Sequence, residues 1–95
     1  MEQFFEWDDN KAASNLKKHG IRFEDAARVF DDPLAFSEPD HSAREEERWR
    51  TIGLSDRCVL LYVVHTARFE GGDEVIRIIS ARRVTKEERR RYEHR

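Results

Sequence analysis

The apolar pattern of this 95-residue chain changes period at Asp31-Asp32-Pro33, and that change limits the folds open to it. Before it, Phe23, Ala26, Ala27 and Phe30 fall at i, i+3, i+4 and i+7, the stripe of a helix buried along one side. Pro33 disfavours helical geometry at Asp32 and ends that helix. After it, β-branched and aromatic residues gather in short runs, separated by Ser55-Asp56-Arg57 and Gly71-Gly72-Asp73. Such runs read as strands joined by tight turns. Helices first and strands afterwards, with connections too short for crossovers, describe an α+β domain with an antiparallel sheet.

Asp8 or Asp9 caps a first helix over residues 10–19, and Gly20 stops it. Lys17, Lys18 and His19 occupy its last turn, where positive charge suits the helix dipole. The second helix carries the Phe23–Phe30 stripe, although Arg22 is a poor cap for it. Leu34 and Phe36 then form a short first strand, and residues 37–46, polar and containing Pro39, read as a loop. Residues 48–54, 58–66 and 75–81 supply three more strands. Thr85 with Glu88 three residues on is a capping box that opens a final helix, polar nearly all round. The expectation is two N-terminal helices, a four-stranded antiparallel sheet and a C-terminal helix, in one domain over residues 1–95.

Cys58, the sole cysteine, excludes an intrachain disulfide and reads as a small core residue beside Val59-Leu60-Leu61. Trp7 reads as a core plug. Charged residues at 40% raise disorder as an alternative, which two Trp, six Phe and two Tyr argue against. The longest apolar run, residues 58–64, is too short to span a bilayer, and no signal-peptide pattern follows Met1. A soluble cytoplasmic protein without membrane contact is expected.

A formal net charge of −2 hides a polarised molecule. Residues 76–95 hold eight Lys/Arg against three Asp/Glu, whereas residues 1–75 hold ten against seventeen. The cationic end suits a polyanion such as nucleic acid. There is no glycine-rich phosphate loop, Cys-x-x-Cys or His-Glu-x-x-His, and the four histidines are scattered, so neither metal nor cofactor is expected.

Two strands end in cations, His65-Thr66-Ala67-Arg68 and Arg77 through Arg82-Arg83. Simple alternation puts 65 and 67 on one face and 66 and 68 on the other; Ser80 and Arg82 share a face, with Arg77 and Arg83 opposite. Together with Lys17, Lys18 and Arg89-Arg90-Arg91, these arginines are expected to build a phosphate-binding concavity, since a guanidinium bonds phosphate through two parallel N–H groups. The competing expectation pairs them with Glu45, Glu46, Glu47 or Asp73 as a solubilising rim. His65 reads either as a general acid or base or as a histidine held for structural reasons. Tyr92 reads either as the anchor of the last helix or as a stacking surface for a base.

Beyond these patterns, Phe5-Glu6-Trp7-Asp8 with Lys11 and Asn15, Lys18-His19-Gly20, and the segment from Phe23 to Val29-Phe30-Asp31-Asp32-Pro33 resemble the opening of BrnT-type toxins. Glu47-Arg48, Gly53, Val64-His65-Thr66-Ala67-Arg68, Ile76-Arg77-Ile78-Ile79-Ser80-Ala81-Arg82-Arg83, Glu88 and Tyr92 resemble the remainder, so the likeness runs over residues 4–92. Arg22 departs from the pattern, where a small capping residue is expected. The resemblance implies a ribonuclease toxin of a type II toxin–antitoxin pair, with a fold like that of RelE-type endoribonucleases. It further implies a BrnA-type antitoxin carrying a ribbon-helix-helix domain, with operator DNA bound through the toxin–antitoxin complex.

The chemistry expected of such a chain is metal-free RNA cleavage, in which the ribose 2′-OH attacks the adjacent phosphate. Arg68 and Arg82 are the expected stabilisers of phosphate charge, and His65 or Lys18 the proton handlers. Tyr92 positions a base or ribose, and Glu47 acts as a base or orients an arginine. Arg77, Arg83, Lys17, Arg89 and Arg90 are expected to bind RNA around them. The rival is a non-catalytic nucleic-acid- or partner-binding module, including a degenerate toxin that no longer cleaves.

Overall fold

The computed structural model describes residues 1–42 and 47–94. Its longest pairing is a hairpin of β4 (Leu60–Glu70) and β5 (Asp73–Arg83), turned by Gly71 and Gly72 with φ of 58° and 88°. Glycine takes such angles without the steric cost that a Cβ imposes. β3 (Arg48–Leu54) and β2 (Phe36–Asp40) follow antiparallel on one side of the hairpin. β1 (Gln3–Glu6) lies on the other side and runs parallel to β5, giving the order β1-β5-β4-β3-β2.

The sheet is therefore five-stranded and mixed, not four-stranded and antiparallel as expected. β2 also reaches Asp40, through residues expected to be a loop, while residues 43–46 of that stretch lie outside the described residues. Pro39 is tolerated because β2 is an edge strand, where a missing N–H breaks no inner ladder.

α1 (Asp9–His19) starts where Asp8 accepts a hydrogen bond from the Lys11 N–H, and stops at Gly20, φ 71°. α2 (Phe23–Ala27) is only five residues long and tightens into a 3₁₀ turn, Arg28–Asp31, before Pro33. Phe23, Ala26 and Val29 from these segments bury against Leu61, Val63, Ile76, Ile78 and Ala81 of the sheet. Trp7 packs at the margin of that core, edge-on to Phe23. α3 (Lys86–Glu93) lies against the opposite face, and both hydrogen bonds of its Thr85/Glu88 capping box are present.

Cys58 is not in the core. It is exposed, in the turn before β4, with a left-handed φ of 59°. Asn15 takes the buried place instead. Beyond Arg77, β5 has no neighbouring strand on the β1 side among the described residues. There the Asn15 amide accepts from the Ala81 N–H at 3.0 Å and donates to the Ala81 carbonyl at 2.9 Å and the Ile21 carbonyl at 3.0 Å. One side chain thus satisfies a strand edge that would otherwise be buried with open donors and acceptors.

The register between β4 and β5 slips once. Val64 faces Ser80 but His65 faces Ile78, so Ile79 is an extra residue, a β-bulge. Simple alternation had set Arg77 opposite Arg82. The bulge returns Arg77, paired with Thr66, to the face that holds Ser80 and Arg82.

Candidate active site

The face of the sheet on the α3 side gathers arginines. β3 contributes Arg50, β4 Arg68, β5 Arg77 and Arg82, and α3 adds Arg91. Alternate residues such as Val63, Ile76 and Ile78 bury toward α1 and α2, which leaves the arginine positions of the strands pointing the other way.

Arg82 lies with its guanidinium 3.9 Å from the centroid of the Tyr62 ring. Its terminal nitrogens donate to the two carboxylate oxygens of Glu88 at 2.8 and 3.0 Å. Glu88 also accepts from the Thr85 N–H at 2.9 Å, so one carboxylate both caps α3 and orients the arginine. These bonds, Arg82 foremost, hold the Glu88 carboxyl below its ordinary range. Beside it, Arg50 donates to Glu38 at 2.8 Å and to the Tyr62 hydroxyl at 3.4 Å. Arg91 grips the same Glu38 with two nitrogens, at 2.6 and 3.2 Å, over the ring of Phe36. Glu38 is accordingly held in its ionised form, by Arg91 first and Arg50 second.

A second cation group lies farther along the same face. Arg68 makes a two-pronged contact with Glu6 at 3.0 and 3.2 Å and bonds Glu70 at 2.6 Å, while Arg77 reaches Glu6 at 3.1 Å. Glu6 is depressed by these contacts, chiefly by Arg68. Arg68 lies six positions along β4 from Tyr62, roughly 20 Å of strand. The two groups therefore occupy separate places along the face.

Tyr92 donates its hydroxyl to Asp32 at 2.6 Å, and the same Asp32 oxygen accepts from the Leu54 N–H at 2.9 Å. The tyrosine thereby ties α3 to the turn before β2. Arg89 and Arg90 are exposed on α3, and Arg83 borders a small hollow with Asp25 and Arg57. Lys18 lines a groove between α1 and Ser80, with Lys17 one residue away on the exposed side of the helix.

His65 is on the other face, 4% exposed and edge-on to Phe30. Its Nδ1 lies 3.2 Å from the Thr66 carbonyl, which can only accept, so Nδ1 carries the proton. Nε2 then accepts from the Thr51 hydroxyl at 2.6 Å, and Ser37 lies 2.6 Å beyond Thr51. Burial pushes the imidazole below its ordinary value, favouring the neutral ring. Glu47 lines the cleft above it. His65 and Glu47 are therefore brought together, but not with Arg82, Arg68 or Tyr92. The expected single concavity divides among separate places.

Of the expected rim acids, Glu45 and Glu46 lie outside the described residues, and Asp73 accepts from the Glu2 N–H. Glu6, Glu38, Glu70 and Glu88 hold the arginines instead. Sequence reasoning missed Arg50, Tyr62 and Glu38. Tyr62 shares the strand parity of Thr66 and Arg68, a signal that was present but carried no charge to draw notice. Among the described residues no group of three His, Cys, Asp or Glu is disposed to hold a metal ion, and no helix is long and apolar enough to cross a membrane.

The model of one protein family, described as "Ribonuclease toxin, BrnT, of type II toxin-antitoxin system", matches residues 7–88. The crystal structure of the Brucella abortus ribonuclease toxin BrnT is similar in fold, with a TM-score of 0.63 and 22% identity. It covers 90% of this chain and 100% of that one. No curated protein sequence matches the chain.

Proposed function

The chain belongs to the BrnT family of ribonuclease toxins of type II toxin–antitoxin systems, and on that premise we propose that it is a metal-independent endoribonuclease that arrests growth by cleaving RNA. The observation that carries this reading is the group of Arg82 over the Tyr62 ring with Arg50 at the Tyr62 hydroxyl.

In the proposed step, the ribose 2′-oxygen attacks its own phosphorus. The phosphorus–5′-oxygen bond breaks, leaving a 2′,3′-cyclic phosphate and a 5′-hydroxyl. The nucleophile is already tethered, so the protein chiefly aligns it and neutralises charge. Arg82 and Arg50 bond the non-bridging oxygens as their charge grows. Arg68 and Arg77 hold a flanking phosphate, and Arg83, Arg89, Arg90, Lys17 and Lys18 supply longer-range attraction.

The carboxylates on this face give the arginines fixed directions before RNA arrives. A phosphate that takes over Arg50 and Arg91 removes the pairing that depresses Glu38. Its basicity then rises, and it accepts the 2′-proton. The Tyr62 hydroxyl gives a proton to the departing 5′-oxygen, and solvent exchange restores both groups. His65, buried and neutral on the other face, keeps the core in register. Tyr92 docks α3 and contributes through that placement.

The antitoxin in this reading is BrnA-type, and operator DNA is bound by its ribbon-helix-helix domain within the complex. One observation favours a second reading, a binding module without chemistry: Arg50, Arg68, Arg77, Arg82 and Arg91 all sit on carboxylates. Incubating the purified protein with a labelled RNA separates the two. New cyclic-phosphate ends support the nuclease; salt-sensitive binding without product supports the module.

A further inference from the structure

The cleft over His65 has no part in the cleavage scheme. It has a volume of about 490 Å³ and lies on the face away from the arginines, past the end of the 3₁₀ turn where α1 and α2 no longer cover the sheet. Its walls are aromatic, from Phe30, Trp49 and Phe69, and Phe69 is 68% exposed. Ile76 and Ala67 lie between them. The only carboxylates lining it among the described residues are Glu47 and Glu74, and no Lys or Arg lines it. Both nitrogens of His65 are engaged within the protein, so the imidazole presents chiefly a ring to the cleft.

We infer that this cleft is a docking site for a segment of another protein, one that inserts an apolar side chain flanked by lysine or arginine. The apolar walls demand a side chain that loses water, and the two carboxylates demand positive charge next to it. Nucleic acid and an anionic membrane surface fail the second demand, because their phosphates meet Glu47 and Glu74. A second copy of this chain could offer Leu16, exposed beside Lys17 and Lys18, and a Trp49 shift of the free protein that grows with its own concentration would overturn the inference in favour of that contact. The α3 of a second copy is excluded, since its one large apolar side chain, Tyr92, is already committed to Asp32. The chain's own α3 is excluded too, since it lies across the opposite face.

A partner seated here leaves Arg50 and Arg82 uncovered. The cleft thus anchors its partner without blocking the cationic face, and the inference stands whether or not that face cleaves RNA. Phe69 is the expected centre of the contact, being an exposed aromatic at the mouth of a preformed hollow.

The test uses the isotope-labelled full chain and three synthetic peptides, followed by amide and indole resonances. One peptide places a leucine–tryptophan pair between lysines; the second places the same pair between glutamates; the third places two serines between lysines. The first alone is expected to shift the Trp49 indole and the amides of Ala67 and Phe69. Phe69→Ser, Ala67→Arg and Glu74→Lys are each expected to weaken it about tenfold or more. All three positions are at least partly exposed, and retained spectral dispersion verifies the fold of each variant. The inference is overturned if no peptide shifts these resonances, if the acidic peptide binds as well, or if the shifts fall on Tyr62, Arg82 and α3. Displacement by an RNA oligonucleotide at Trp49 overturns it as well.

Discussion

The Arg82 guanidinium lies over the Tyr62 ring, 3.9 Å from its centroid, while Glu88 fixes its two terminal nitrogens. A guanidinium clamped above and at its tip has little freedom left to lose when a phosphate replaces the carboxylate. Tyr62 pairs with Arg82 in the ladder and with Ile52 on its other side, so its position is set by three strands at once.

Arg82→Ala is expected to abolish toxicity on induced expression and to lower the cleavage rate by about 10²–10³. The strand keeps its backbone pairs, so the fold persists. Growth curves at matched protein levels, with a far-ultraviolet spectrum of each protein, check both halves. Undiminished arrest by a folded variant removes Arg82 from the chemistry.

Cleavage is expected to survive excess EDTA, because the reaction uses a tethered hydroxyl and arginine charge. Loss of activity in chelator with recovery in Mg²⁺ contradicts the scheme. Product ends measured in both buffers decide it.

Tyr92→Phe is expected to keep cleavage within a few-fold of wild type and to cost about 1.5–3 kcal/mol of stability. It removes one hydrogen bond to a charged acceptor while leaving the ring in place. A complete loss of product with unchanged stability assigns the hydroxyl to catalysis instead. Single-turnover rates and urea titrations separate the outcomes.

Asn15→Ala is expected to destabilise the protein by about 2–4 kcal/mol, since the Ala81 N–H and carbonyl lose their partner in a buried place. Asn15→Asp is expected to be worse at neutral pH and to recover in part on acidification. It turns a carboxylate toward two carbonyl oxygens. Urea midpoints at two pH values give the comparison.

Stability is expected to fall as pH drops below about 6.5, the ordinary histidine value. His65 in the folded protein titrates lower because burial disfavours its charged form. The unfolded chain therefore binds the proton first, and stability rises with pH across the interval between the two values. Glu6, Glu38 and Glu88, all depressed, add a separate loss below about pH 4.5, as their carboxylates are protonated. Urea midpoints from about pH 2.5 to 8 should show both phases, and His65→Asn should remove only the upper one.

Local signals in the sequence carried much of this fold. Gly20, the Thr85/Glu88 box and the Gly71-Gly72 turn depend on a few neighbouring residues, and each stands where its chemistry requires. β1 left no such mark. Its four residues are exposed or half-buried, and their pairing with β5 depends on a strand about 70 positions away. Pro39 hid the extent of β2, because its tolerance depends on being at an edge that only the assembled sheet defines. Cys58 looked apolar in its run, yet the turn needs a left-handed residue there. For the site, arginines at strand ends were visible by charge, while their partners Glu6, Glu38 and Tyr62 come together only through tertiary pairing.

Ile79 gives β5 two parities. On its C-terminal side even numbers face the cations, and on its N-terminal side odd numbers do. Removing that single residue would exchange the inward and outward sets on one half of the strand while leaving the other half untouched. Arg77 would turn toward the helix-covered face, and Ile76 and Ile78 together toward the opposite one. Homologous positions in this hairpin are therefore aligned safely only when counted from each side of residue 79 separately, and a gap placed one position away moves a cation to the wrong surface.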